Sequence, residues 1–326
     1  MIQRVHIRFS LIREVSLPAV RILLFLACLA VPATGCREAA KEGDAVLARV
    51  GGLEFTVREA AALLRRLGGP VEEKVVVREA EAWVDFTIMA LEAAADPGLR
   101  RVDVDPVARQ RLGTRILDRW AKAEMAATGE TEIEFMARVR EEARVRVSGL
   151  APSLLRTVIV DGPSMGDPSG ERSVLARFEG GSYTVAEAME YMASREPGFL
   201  FRATRAESPV LLDLVRTMAQ VEALLVRARA AGYEALPGEE ARIRNEVLTD
   251  LQKALENLGL RGADLYEADA PQGILPEAVM EALTSAHPRQ RSIHFRPFSW
   301  PLESRHRAFI DLDVLPRVLE EVDSPR

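Results

Sequence analysis

The chain has 326 residues, 48% of them hydrophobic and 28% charged, the balance of a folded globular protein rather than a disordered one. A formal net charge of −6, with no basic stripe, excludes a nucleic-acid binder, because such binding rests on clustered positive charge against phosphate. The length allows two modest domains, each with its own core.

Residues 1–35 read as a lipoprotein signal peptide. Arg4, Arg8, Arg13 and Arg21 precede the apolar run "ILLFLACLAVPA". That run is too short for a membrane span, which needs about 20 apolar residues, and has the length of a signal core. It ends in Ala33-Thr34-Gly35-Cys36, which resembles the bacterial lipobox, with Ala33 in the place usually held by leucine. Cleavage before Cys36 would make it the lipid-attachment residue. Cys28 would leave with the signal, so no internal disulfide is expected. Arg37 after the cysteine favours the outer membrane by analogy with lipoprotein sorting. Residues 36–44 are then a tether.

The phrase "VLARVGGLEFTVREA" at Val46 recurs as "VLARFEGGSYTVAEA" at Val174, without a gap, at an offset of 128. Each copy spells a strand, a tight turn, a returning strand and a helix start. Gly51 and Gly52 form a loop tolerant of positive φ, and Gly52 and Gly180 are expected where a side chain fits poorly. Thr56 with Glu59, and Thr184 with Glu187, have the spacing of a capping box.

Helices follow each copy. "VEEKVVVREAEAWVDFTIMALEAAA" sets Trp83, Phe86 and Met89 at helical steps. "DPVARQRLGTRILDRWAKAEMAAT" opens with Asp105 and Pro106, and "TEIEFMARVREEARVRVSG" makes a further helix. Residues 151–172, rich in Gly, Pro and Ser toward their end, read as a linker. The second copy leads into a long helix from Ser208-Pro209 and another with Ile243, Val247, Leu251, Leu255 and Leu258 on one face. Beyond residue 271 come a short helix behind Pro276, an extended aromatic run "RSIHFRPFSW" and a last amphipathic helix. The expected fold is mostly α: helical modules over 45–150 and 173–270, each opened by a short β-hairpin, and a helix–strand–helix segment over 271–326.

The strand "VLARVGG", the Thr-Val helix cap and the acid-rich helices resemble the N-terminal region of SurA/PrsA-type periplasmic foldases. The resemblance is best over Ala45–Ala94 and Val174–Leu258. It implies a cradle of helices that holds unfolded or partly folded envelope polypeptides. Those foldases commonly insert a parvulin-type prolyl isomerase domain; its motif series is missing here, and no catalytic residue is carried over. The expectation is a lipid-anchored, non-enzymatic chaperone or chaperone-derived binding protein at the periplasmic face of the outer membrane, without cofactor. The alternatives are a diverged peptidyl-prolyl isomerase and a structural envelope lipoprotein with one fixed partner.

Trp83, Phe86 and Met89, with Met189 and Met192, fit either an ordinary core face or an adaptable client-binding surface. His287, His294 and His306 match no zinc spacing, so no metal site is expected. "GPSMGDPSG" lacks the Gly-Lys-Ser/Thr ending of a phosphate loop.

Overall fold

A computed structural model describes residues 45–161, 172–195, 197–261, 275–285 and 295–324. The expected signal and tether, Cys36, most of the Gly/Pro/Ser stretch, His287 and His294 lie outside the described residues.

The elements in chain order begin with β1 (Val46–Val50), β2 (Leu53–Thr56), α1 (Val57–Leu67), α2 (Glu73–Ala95), α3 (Asp105–Thr128) and α4 (Glu132–Glu142). Then come β3 (Arg146–Val147), α5 (Ala151–Asp161), β4 (Val174–Phe178), β5 (Gly181–Thr184), α6 (Val185–Ala193), α7 (Phe199–Arg205) and α8 (Ser208–Ala230). The chain closes with α9 (Glu239–Asn257), α10 (Leu275–Ser285), α11 (Arg296–Ser299), α12 (Glu303–His306), β6 (Phe309–Ile310) and α13 (Leu315–Asp323). Helix predominates, with two small antiparallel sheets ordered β2-β1-β6 and β3-β4-β5.

The two hairpins share one register. Val50 faces Leu53 and Ala48 faces Phe55; Phe178 faces Gly181 and Ala176 faces Tyr183. Even the irregularity recurs, between Val46 and Ala48 and between Val174 and Ala176. Their turns differ. Positive φ falls on Gly51 (60°) in the first and on Gly180 (89°) in the second, so Gly52 is not the strained position.

A second repeat, unseen in the sequence, supplies the third strand of each sheet. β6 pairs with β1 through Ala48–Ile310 and Arg49–Phe309, and β3 pairs with β4 through Ala176–Val147 and Arg177–Arg146. The Asp311 amide donates to the Leu47 carbonyl at 2.8 Å, as the Ser148 amide does to that of Leu175. A left-handed arginine precedes each strand, Arg144 (φ 46°) and Arg307 (φ 50°), and a helix follows each, α5 or α13. One unit therefore draws its strand and helix from the residues just before its hairpin, the other from the end of the chain.

Each hairpin packs on a 23-residue helix, β1 on α2 and β4 on α8. The first core joins Leu47, Phe55, Trp83 and Met89 to Ile243, Val247 and Leu251 of α9, Leu275 and Val279 of α10, and Leu302, Leu315 and Val318. Helix α9, which follows the second hairpin in sequence, thus fills the first core. The second core holds Leu155, Leu175, Tyr183, Met192, Leu211, Val215 and Met218.

Two further sequence expectations change. Residues 151–161 form a helix rather than linker, because Ala151 and Leu155 are buried at helical spacing and Pro152 sits in the first turn, where it is tolerated. The described part of the aromatic run, residues 295–300, is helical: Pro297 and Pro301 lack the N–H a strand ladder needs, and Phe295 and Phe298 bury one helical step apart. The strand of this segment is Phe309–Ile310.

Candidate functional site

Helix α2 is buried on nearly all sides, yet it carries Glu79, Glu81, Asp85, Thr87 and Glu92 in the interior. Glu81, Asp85 and Glu92 are four and seven residues apart, which aligns them on one helical face. A charged group at such depth needs a partner. Each has one from a distant part of the chain.

Glu81 Oε2 accepts the Gly198 amide at 2.6 Å, just before α7. Asp85 Oδ1 accepts Ser299 Oγ at 2.5 Å and Arg296 Nη1 at 3.1 Å. That same Nη1 donates to Glu303 Oε1 at 2.6 Å. Seven residues further along the helix, Glu92 Oε1 lies 2.7 Å from His306 Nε2 and 3.3 Å from Arg305 Nη1. The His306 carbonyl accepts the Gly51 amide at 2.7 Å, which ties the tip of the first hairpin to the same segment. Residues 296–306 thus lie along α2, held by charge at two places.

The cluster around Asp85 is unevenly supplied. Asp85 is 1% exposed and its Oδ2 has no partner; Arg296 Nε and Thr87 Oγ1 are likewise unpaired. Two carboxylates share one guanidinium. Burial pushes the Asp85 carboxyl up to about 7, although Arg296 and the Ser299 hydroxyl pull it down. Glu303 is raised for the same reason, with Arg296 opposing. Burial disfavours the Arg296 cation, but Asp85, Glu303 and Glu81 outweigh that and hold it above its ordinary value.

A ladder between α3 and α9 is a second, more exposed arrangement. Arg111 meets Asp250 at 2.7 Å, Arg115 meets Glu246 at 2.7 Å and Arg119 meets Glu239 at 2.8 Å. The Arg119 hydrogen bonds, and next the Leu236 amide, hold the Glu239 carboxyl below its usual range. Two open depressions are lined by side chains already paired in this way, Glu246 and Asp250 in one beside the ladder, Glu73 and Arg205 in another between the start of α2 and α7.

The apolar stripe is core, not surface. Trp83 stacks on Phe55 with centroids 5.2 Å apart, Phe86 meets the edge of Phe295 at 5.2 Å, and Met89 is fully buried. Met192 is buried in the second core, with Met189 half-buried against it. The stripe closes inward because the hairpin, α10 and the C-terminal segment pack around α2, which one helix's periodicity does not reveal. Thr56 and Thr184 each cap their helix, accepting the amide of Glu59 or Glu187, whose carboxylate accepts the threonine amide in return. Among the described residues no group of three or more His, Cys, Asp or Glu could hold a metal.

Sequence reading missed the acid face of α2. Its signal is present: carboxylates at 81, 85 and 92 inside an apolar helix, all on one face, demand buried partners. Which partners they take depends on the fold. Comparison with protein families, with curated proteins and with solved structures finds no match to this chain.

Proposed function

We propose that the protein is a lipid-anchored, non-catalytic chaperone or chaperone-derived binding protein of the cell envelope, which holds unfolded or partly folded secreted polypeptides. The observation that carries this reading is the repeated unit of hairpin and capped helix. It follows residues 1–35, read as a lipoprotein signal cleaved before Cys36, and resembles the opening module of SurA/PrsA-type foldases. With Trp83, Phe86, Met89 and Met192 inside the cores, clients would meet the outer surface, where Ile133 and Leu150 are, among the described residues, the most exposed large apolar side chains.

The test is suppression of aggregation. The protein at near-equimolar ratio should keep an unfolded outer-membrane protein from scattering light on dilution from urea. No effect on several such clients removes the chaperone reading. Acceleration of X-Pro isomerisation in a chromogenic peptide would replace it with the isomerase.

A further inference from the structure

The C-terminal segment from Phe295 to Ile310 covers three things at once. Phe295, Phe298 and Leu302 seal the first core beside α2, β6 occupies the outer edge of β1, and His306 holds the tip of the first hairpin. Its inner anchor is the cluster of Asp85, Arg296, Ser299 and Glu303. We propose that this segment is a proton-linked clasp: a proton on Asp85 Oδ2 keeps it seated on α2, and loss of that proton loosens it.

The geometry supplies the reason. Around the single Arg296 guanidinium stand Asp85 and Glu303, with Glu81 one turn away on α2. With both paired acids ionised, the cluster carries a net negative charge centred on Asp85 and Arg296, which are shut from water. A buried site of that kind takes up a proton instead. Glu81 has the Gly198 amide as its own donor, and Glu303 is the more exposed of the two acids on Arg296. Asp85 Oδ1 is occupied by Ser299 and Arg296, whereas Oδ2 has no partner. Oδ2 is the place for the proton. Of the other charged groups on the segment, Arg305 and His306 face Glu92, not Asp85.

The direction follows from linkage. Asp85 holds its proton more tightly when the clasp is seated, as its upward displacement to about 7 indicates. Release returns the carboxyl to its ordinary range near 4. The ratio of released to seated clasp therefore rises about tenfold per pH unit between those values and levels off above the higher one. Release would uncover the outer edge of β1 and the apolar faces of Phe295, Phe298 and Leu302. This inference stands on the cluster itself and does not depend on the chaperone reading.

The experiment uses the full chain. Carbon-13 spectra of aspartate-labelled protein should show the Asp85 carboxyl titrating with a midpoint within a unit of 7. Amide exchange over 295–310, corrected for intrinsic rates, should be at least about tenfold less protected at pH 8 than at pH 5. The Asp85→Asn variant, neutral at every pH, should show less than a twofold change. A midpoint below 5, equal protection of the wild type at both pH values, or the same loss in Asp85→Asn overturns the proposal. If Asp85→Asn does not fold, the carbon titration and wild-type exchange still decide.

Discussion

The two hairpin units are built to one plan and closed in two ways. In the second, β3 and α5 immediately precede β4, so its third strand arrives from close by in the chain. In the first, the equivalent β6 and α13 come from the end of the chain, almost its whole length away. The manner of holding differs accordingly. Arg65 of α1 donates to the carbonyls of Glu321 and Val322, while buried acids of α2 hold residues 296–306. In the second unit Arg156 of α5 donates to the Ala206 carbonyl at 2.6 Å and Arg227 pairs with Glu142 at the surface. A closing element that must be brought from far away carries a larger loop-closure cost. Buried charge pairs add geometric definition to such a contact, at a desolvation cost.

The largest effect should come from separating the units. Residues 131–235 contain every buried member of the second core, whereas 45–150 lack α9, α10 and the C-terminal segment that complete the first. Circular dichroism and thermal melting should show a cooperative transition for 131–235 and none for 45–150. A cooperative melt of 45–150 alone would mean that the distant closure is dispensable.

Next is the core of the first unit. Trp83→Ala removes the ring stacked on Phe55 and should lower stability by about 3–5 kcal/mol in urea titration. Leu211→Ala in the second core should cost about 2–5 kcal/mol, the usual range for a large-to-small change at a fully buried site.

The ion pairs should separate the units more sharply. Arg296→Met leaves Asp85 and Glu303 without their shared cation and should cost about 3–5 kcal/mol at pH 8. Because the two acids can take up protons, the loss should shrink as pH falls to 5. Arg227→Ala, which breaks the exposed pair with Glu142, should cost no more than about 1 kcal/mol. Equal losses at the two sites would remove the contrast between buried and surface closure.

The smallest effect tests what the units share. Thr56→Ala and Thr184→Ala each remove one capping hydroxyl and should each cost about 1 kcal/mol. Similar losses, measured by urea titration, would show that the repeat carries the same local energetics in both surroundings.

Local chemistry was legible in the sequence. The hairpins, their equal register and the two capping boxes follow from strand-forming runs, glycines at the turns and Thr-x-x-Glu spacing, all of which act within a few residues. Helix α4 has a third such box, Thr131 with Glu134, from the same kind of signal. What the sequence could not decide lies at long range. Whether Trp83, Phe86 and Met89 face solvent or core depends on what covers α2, and that cover comes both from the hairpin and from helices far along the chain, α10 and α13 among them. The strand and helix at 307–324 take the place of those at 144–161, each strand pairing with its hairpin in the same way after a left-handed arginine, with little likeness in side chains, so no phrase announces them. Asp85 and Arg296 are 211 residues apart, and each alone reads as an ordinary helix charge. Only the closed fold brings them out of water together, where the proton proposed on Asp85 becomes part of what holds residues 295–310 in place.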